Sequence, residues 1–160
     1  MPVNAGTVDI YTDGSCHTQL RIGAWATLIF TSGDKIMLTG TVMDTTHNRM
    51  ELTAVIKGLE YVSKNCNSLS MIRIFSDSQY VTGLAGRKEK LTSASLCTQK
   101  GTLIQNADLV EALWAFDSFY TLEFIKVKAH QKEGGIINYN IEVDKIARKM
   151  VRDIVRESSD

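Results

Sequence analysis

Alternating apolar and polar positions near the start of the chain predict three consecutive β-strands. The segments 8–12, 23–31 and 36–42 are rich in β-branched and aromatic residues. The turn residues at 13–15 are expected to end the first strand, and those at 32–35 are typical of a hairpin. The short links between the three segments favour an antiparallel meander.

The periodicity changes to that of a helix after residue 48, and strands and helices then alternate. Apolar residues follow at intervals of three or four and form one stripe: Leu52, Val55, Ile56, Leu59 and Val62. The later elements predicted by the pattern are a strand at 70–76, a short helix ending at 84, a helix at 107–119, a strand at 121–128 and a helix at 140–157. The segment 85–106 is polar and irregular.

The order of these elements predicts an α/β fold with a five-stranded mixed sheet. The first three strands are antiparallel, and helices that alternate with the later strands cover both faces of the sheet. A length of 160 residues suits one domain, which we expect to span 1–160.

Composition and charge indicate an ordinary globular protein. The chain has 18 basic and 18 acidic residues, so a wholly basic nucleic-acid coat protein is excluded, although a local basic face is not. No long apolar run is present, and no membrane association is expected. Three widely separated cysteines suit a reduced, cytoplasmic protein, and a monomer is expected.

Four acidic residues stand where chemistry is expected in such a sheet. Asp13 follows the first strand and Asp77 follows the fourth, and α/β sheets bind ligands at the carboxyl ends of their strands. Glu51 and Asp144 border the apolar stripes of the two long helices. Taken singly, each acid is more simply explained as a helix cap or a turn former. Together they would form an oxygen-only site that suits Mg²⁺ or Mn²⁺ rather than zinc.

Five short motifs give the chain a resemblance to the type 1 ribonuclease H family. They are YTDGSC (11–16), TTHNRMEL (45–52), SDSQYV (76–81), VKAHQ (127–131) and NYNIEVDKIAR (138–148). They occur in the family order and span nearly the whole chain. The resemblance implies a ribonuclease H-like fold and an endonuclease that hydrolyses the RNA strand of RNA–DNA hybrids.

The resemblance also implies roles for individual residues. Four acids match the family's catalytic metal ligands, which hold two Mg²⁺ ions, with Mn²⁺ as an alternative: Asp13, Glu51, Asp77 and Asp144. His130 matches a catalytic loop histidine that assists proton transfer and product release. Five positions match residues that contact the hybrid or hold a DNA phosphate: Gly14, Cys16, Thr46, Asn48 and Gln79. Two-metal hydrolysis leaves 5′-phosphate and 3′-hydroxyl ends.

Several positions depart from the family pattern. The segment 17–22 lacks the usual Asn and Pro, and Asp44 stands where an Arg often supports the phosphate pocket, so it would repel phosphate. Ala129 replaces a Gly before the loop histidine. The segment 85–106 keeps basic residues but no Trp, and it is either a salt-dependent grip or a solvated loop. A basic stripe on the last helix is equally well explained as a solvated face: Lys145, Lys149, Arg152 and Arg156.

Three functions remain open on the sequence alone. The leading hypothesis is a metal-dependent ribonuclease acting on RNA–DNA hybrids. The second is a catalytically weak hybrid-binding module of the same fold, and the third is a nuclease of this fold that acts on DNA. Four retained acids argue against a pure binder, because without metal they would repel the nucleic-acid backbone. Asn48 and Gln79 favour hybrids, since minor-groove contacts can sense the 2′-OH.

Overall fold

The computed structural model describes residues 6–128 and 138–158 and contains a five-stranded mixed sheet. The strands are β1 (Thr7–His17), β2 (Ile22–Phe30), β3 (Lys35–Val42), β4 (Met71–Ser76) and β5 (Leu122–Lys126). Their order across the sheet is β3-β2-β1-β4-β5. The pairs β1–β2 and β2–β3 are antiparallel, whereas β1–β4 and β4–β5 are parallel. The predicted mixed sheet, with its three antiparallel strands first, is confirmed.

Helices occupy the connections after the third strand. They are α1 (His47–Asn65), α2 (Gln79–Leu84), α3 (Lys88–Ser93), α4 (Ala107–Phe119) and α5 (Tyr139–Ser158). A 3₁₀ turn, Ala85–Arg87, joins α2 to α3. Among the described residues, none of these helices is long and apolar enough to cross a membrane.

The helices pack on both faces of the sheet and bury apolar side chains on each face. On one face, the apolar stripe of α1 packs with α4 against alternate positions of the strands, among them Ile10 and Ile74. On the other face, Val143 and Ala147 of α5 pack against Ala26 and Leu28 of β2. Neighbouring residues of a strand point to opposite faces, which explains why Ile29 joins the first core and Leu28 the second. The prediction of helices on both faces is confirmed.

The structure corrects the expected end of β1. The turn-forming residues at 13–15 do not stop the strand, because β2 pairs with it as far as the pair His17 and Ile22. The parallel partner β4 ends earlier, at the pair Tyr11 and Phe75. Asp13 is therefore two residues beyond the parallel ladder, and its backbone is still held extended opposite Ala26.

The segment 85–106 is also more ordered than its composition predicts. It contains the 3₁₀ turn and α3, and an isolated bridge pairs Cys97 with Leu103. Leu91 of α3 is buried and belongs to the same apolar core as the buried residues of α4. The Lys88 ammonium lies 2.7 Å from the Asp117 carboxylate of α4. Contacts with the rest of the fold, among them this buried leucine and this ion pair, therefore order a segment whose apolar residues show no regular spacing.

Helix α1 lies close against the sheet, and this contact sets the position of its first turns. Thr27 Oγ1 donates a hydrogen bond to the Ala54 carbonyl at 2.6 Å within the buried interface. A Cβ on Gly58 would lie 2.8 Å from the Thr27 methyl carbon and 3.0 Å from a side-chain carbon of Ile10. Glycine therefore allows the close approach. Glu51, about two turns earlier in α1, is carried to the sheet by the same packing.

Candidate active site

Three of the four predicted acids converge at the end of the parallel part of the sheet. Asp13 lies on β1, Glu51 lies just over one turn into α1, and Asp77 directly follows β4. One carboxylate oxygen from each lies within 4.8 Å of the others. Asp13 and Glu51 are only 3% and 1% exposed, whereas Asp77 is half-buried. The cluster thus combines two buried carboxyl groups with one that reaches solvent.

Asp144 approaches the same cluster from α5. Its carboxyl is within hydrogen-bonding reach of the Asp13 carboxyl, and its Oδ1 lies 3.0 Å from Nε of Arg148. Glu51, Asp77 and Asp144 all line one cavity of about 360 Å³. Asp144 is outside the set of three whose oxygens lie within 4.8 Å of one another. The fourth predicted ligand therefore borders the cavity beside the converging three.

Burial and mutual repulsion disfavour negative charge in this cluster. The pKa of Asp13 is raised to about 10, first by burial and then by the charges of Glu51, Asp77 and Asp144. Burial also raises the pKa of Glu51, although a hydrogen bond with His47 acts in the opposite direction. Without a compensating cation, the Asp13 carboxyl therefore retains a proton that exposed acids lose well below neutral pH, and the pKa of Glu51 is shifted in the same direction.

The donor atoms fit a hard divalent cation. Oδ2 of Asp13 and Oε2 of Glu51 are buried and make no hydrogen bond within the described part of the chain. A buried carboxylate oxygen without a partner is costly, and a cation held between the acids would satisfy both oxygens. The converging ligand atoms are all carboxylate oxygens, which suit Mg²⁺ or Mn²⁺.

Gly14 allows α1 to approach β1 at the cluster. A Cβ at this position would lie 2.4 Å from the backbone nitrogen of Glu51 and 2.5 Å from the carbonyl carbon of Met50. Both atoms belong to the helix backbone, so they cannot be displaced by a side-chain rotation, and glycine is required. Gly14 therefore allows Glu51 to approach Asp13, the residue that precedes this glycine in the chain.

The five predicted substrate contacts all lie around the cavity or on the helices that begin beside it. Gly14 and Cys16 line the cavity from β1. Thr46 is the N-cap of α1, and its side chain accepts a hydrogen bond at 3.2 Å from the backbone N–H three residues later. Asn48 and Gln79 are exposed in the first turns of α1 and α2. Their contact with substrate stays a prediction.

Two residues of the cavity carry no site prediction from the sequence, His47 and Arg148. Nε2 of His47 lies 3.3 Å from Oε1 of Glu51, and the resulting hydrogen bond raises the pKa of His47. Arg148 is the partner of Asp144, as described above, and both basic residues line the cavity. Each stands four residues from its acid in the same helix, and this spacing was the available signal. The predicted loop histidine, His130, lies outside the described residues.

The structure revises the interpretation of Asp44 as an isolated repulsive charge. Nε of Arg21 lies 2.7 Å from Oδ1 of Asp44. Both residues have a left-handed backbone, with φ of 55° and 53°, and the Thr45 N–H donates to the Arg21 carbonyl at 3.0 Å. The turn between β1 and β2 thus brings a cation to Asp44 and offsets its charge.

Comparisons with known proteins match nearly the whole chain to one family. The sequence model of the RNase H family matches residues 5–152. Ribonuclease H from Thermoanaerobacter sp. (strain X514) is 32% identical over 160 residues, which cover 99% of this chain and 98% of the relative. Ribonuclease H from Rickettsia canadensis (strain McKiel) is 33% identical over 148 residues, which cover 92% of this chain and 90% of the relative.

A solved structure has the same fold at low sequence identity. It is the N-terminal RNase H domain of a Mycobacterium tuberculosis protein, fused to maltose-binding protein, and the TM-score is 0.71. The superposition covers 96% of this chain and 99% of that chain at 15% identity, so it supports the fold assignment alone. The family match and the identities of the relatives go further: this chain belongs to the ribonuclease H family of enzymes.

Proposed function

We propose that this chain is an endoribonuclease that hydrolyses the RNA strand of RNA–DNA hybrids with divalent metal ions. Membership of the ribonuclease H family supports this reaction in general. The single observation that carries the proposal for this chain is the convergence of Asp13, Glu51 and Asp77 beside Asp144. Acids that are buried together and repel one another are stabilised by a bound cation, and such a cation is what phosphodiester hydrolysis needs.

The four acids are the proposed ligands of two Mg²⁺ ions, with Mn²⁺ as the alternative. Asp13 and Glu51 each have a buried oxygen that is free to coordinate, and Asp77 and Asp144 border the opening of the cluster. When bound, such ions activate water as a nucleophile and stabilise charge on the departing 3′-oxygen, which gives 5′-phosphate and 3′-hydroxyl products.

The chain's own groups hold the acids in place and manage protons. His47 contacts one oxygen of Glu51 at 3.3 Å, which fixes the direction of that carboxylate and leaves its second oxygen for the cavity. Arg148 orients Asp144 in the same way from one turn later in α5. His130 is the proposed group that carries a proton between the cleavage site and solvent.

Recognition of a hybrid is assigned to the polar groups around the cavity. Asn48 and Gln79 are exposed side chains with both donors and acceptors, which suits contact with base edges and the 2′-OH in the minor groove. Thr46 accepts from the α1 backbone through its hydroxyl oxygen, and its O–H can still donate to a phosphate at the start of the helix. These contacts would direct cleavage to the strand that carries the 2′-OH.

The test uses three labelled duplexes of one sequence: an RNA–DNA hybrid, duplex DNA and duplex RNA. With Mg²⁺, the protein is expected to cut only the RNA strand of the hybrid, and Asp13→Asn should abolish the cut without unfolding the protein. Asp34→Asn is the matched control, because it changes an exposed acid in the turn at the far end of β2. Equal cutting of duplex DNA, or full activity of Asp13→Asn, would contradict the proposal. Hybrid binding without cleavage would identify a binding module instead.

A further inference from the structure

The exposed residues Asn48 and Gln79 each precede a residue that is tied into one polar network. Arg49 follows Asn48 in the first turn of α1, and Tyr80 follows Gln79 in the first turn of α2. Asn48 and Gln79 are exposed, whereas Arg49 and Tyr80 are half-buried. Each proposed substrate-binding residue is therefore followed in the chain by a residue whose side chain is held in place by hydrogen bonds.

The network joins the beginnings of three helices through Asn106 and Asp108. The two terminal nitrogens of Arg49 donate to the two carboxylate oxygens of Asp108 at 3.0 and 2.7 Å. Nη1 of Arg49 also donates to Oδ1 of Asn106 at 3.3 Å. The amide nitrogen of Asn106 in turn donates to the Tyr80 hydroxyl at 3.2 Å. We call these four residues the bracket; it connects α1 to α2 by way of the start of α4.

The conformation of Asn106 shows that its side chain is committed to the bracket. Asn106 stands at the N-cap position of α4, where an asparagine side chain ordinarily accepts a hydrogen bond from the first turn. Here it makes no such bond, and its backbone is left-handed with φ of 60°. Both ends of its amide instead contact Arg49 and Tyr80. The Asn106 side chain thus links α1 to α2 instead of capping α4.

The exposure of the ion pair argues against a purely stabilising role. The side chains of Arg49 and Asp108 are 36% and 62% exposed, and exposed ion pairs contribute little to stability. A bidentate guanidinium–carboxylate pair nevertheless fixes direction and distance, which a lysine cannot reproduce. The attraction between the two groups holds the pKa of Asp108 below its ordinary value, so the pair is charged across the neutral range.

We infer that Arg49 is a positioning residue that, through the bracket, holds Asn48 and Gln79 at a fixed separation for simultaneous contact with the minor groove of the hybrid. This inference rests on the proposed function, because it gives a purpose to substrate contacts proposed there. Arg49 itself faces Asp108 and Asn106 and acts through its neighbours.

Arg49→Lys tests the inference, since it keeps the charge and the helix propensity and removes the bidentate geometry. The KM for the hybrid should rise about fivefold while kcat changes less than about twofold, because binding geometry is lost and the acid cluster is untouched. Asp108→Asn should have the same effect. Asp117→Asn is the matched control: it removes the other ion pair of α4, Lys88–Asp117, which does not reach α1 or α2. It should leave KM at the wild-type value.

A second measurement separates positioning from a general loss of structure. If Arg49 acts through Asn48 and Gln79, then Arg49→Lys should not raise the KM further in a protein that already carries Asn48→Ala and Gln79→Ala. Additive losses in that background, or equal KM values for Arg49→Lys and Asp117→Asn, would overturn the inference. Failure of the proposed function is distinguishable, because then the wild-type protein itself would not cut the RNA strand of the hybrid.

Discussion

Replacing Asp13 with asparagine is expected to stabilise the metal-free protein, and the gain should grow as pH rises. Asp13 is 3% exposed, and its pKa in the folded state is raised to about 10 by burial and by three neighbouring acids. In the unfolded chain the same carboxyl has a pKa of about 3.9. The stability that the protonated carboxyl contributes is therefore complete below about pH 4 and is lost progressively as pH rises towards the folded value. An amide has no such proton to lose.

Proton linkage sets the size of the effect. One proton that is bound in the folded state and released in the unfolded state changes the free energy of unfolding by about 1.4 kcal/mol per pH unit. Between about pH 5 and about pH 8 the upper bound is about 4 kcal/mol. The cavity beside Asp77 admits water, which screens part of the repulsion, so we expect roughly half of the bound, about 2 kcal/mol. For a chain of this length, that is a rise in Tm of about 4 to 8 °C.

The assay is thermal unfolding in EDTA, monitored by circular dichroism at several pH values between about 5 and about 8. Wild-type protein, Asp13→Asn and the exposed control Asp34→Asn are compared at each pH. The difference between Asp13→Asn and the wild type should widen with pH, and the control should follow the wild type. A difference that is constant or that shrinks as pH rises would contradict a raised pKa of Asp13 in the folded protein.

Three further predictions concern packing, a partly buried ion pair and metal binding. Gly14→Ala should lower the free energy of unfolding by about 2 kcal/mol and the cleavage rate at least tenfold, because the added Cβ would lie 2.4 Å from the α1 backbone. A variant that unfolds at the same urea concentration as the wild type would contradict this prediction. Arg73→Ala should cost about 3 kcal/mol, because it strands Asp9, whose side chain is 6% exposed and lies 2.6 Å from Arg73. Lys57→Ala, which breaks an exposed pair, should cost less than about 1 kcal/mol; equal losses for the two would count against the argument. At a concentration about 100 times its Kd for the wild type, Mn²⁺ should raise the free energy of unfolding of the wild type by about 2.7 kcal/mol and that of Asp77→Asn by much less. An equal rise in Tm in both proteins would exclude Asp77 as a ligand.

Periodicity predicted most of the fold, and it failed where tertiary contacts outweigh local preference. The helix predicted at 107–119 is found at Ala107–Phe119, because its apolar positions are regular. The residues 13–15 favour a turn locally, yet β2 pairs with all three of them and keeps the strand extended. Helix α3 was missed because a single buried residue, Leu91, anchors it.

The acids of the candidate site could be selected from the sequence, whereas their basic partners and the geometry of the site could not. The sequence places Asp13 and Asp77 near strand ends, but their distance depends on the parallel register of β1 and β4, which no local pattern specifies. The pairing of Arg21 with Asp44 depends on two separate connections, β1–β2 and β3–α1, in each of which one of these residues has a left-handed backbone. The contacts of Asn106 are likewise invisible in sequence, since they join helices that are far apart along the chain.

The most direct test of the account is cleavage of a hybrid labelled on both strands, measured with Mg²⁺, with EDTA, and with Asp77→Asn. Asp77 is the half-buried member of the acid cluster, so its replacement removes a proposed ligand while leaving the buried core intact. Cuts are expected in the RNA strand only; they should disappear in EDTA, and the cleavage rate should fall at least about a hundredfold in the variant. Cleavage that persists in EDTA, or wild-type activity in a folded Asp77→Asn protein, would contradict this expectation.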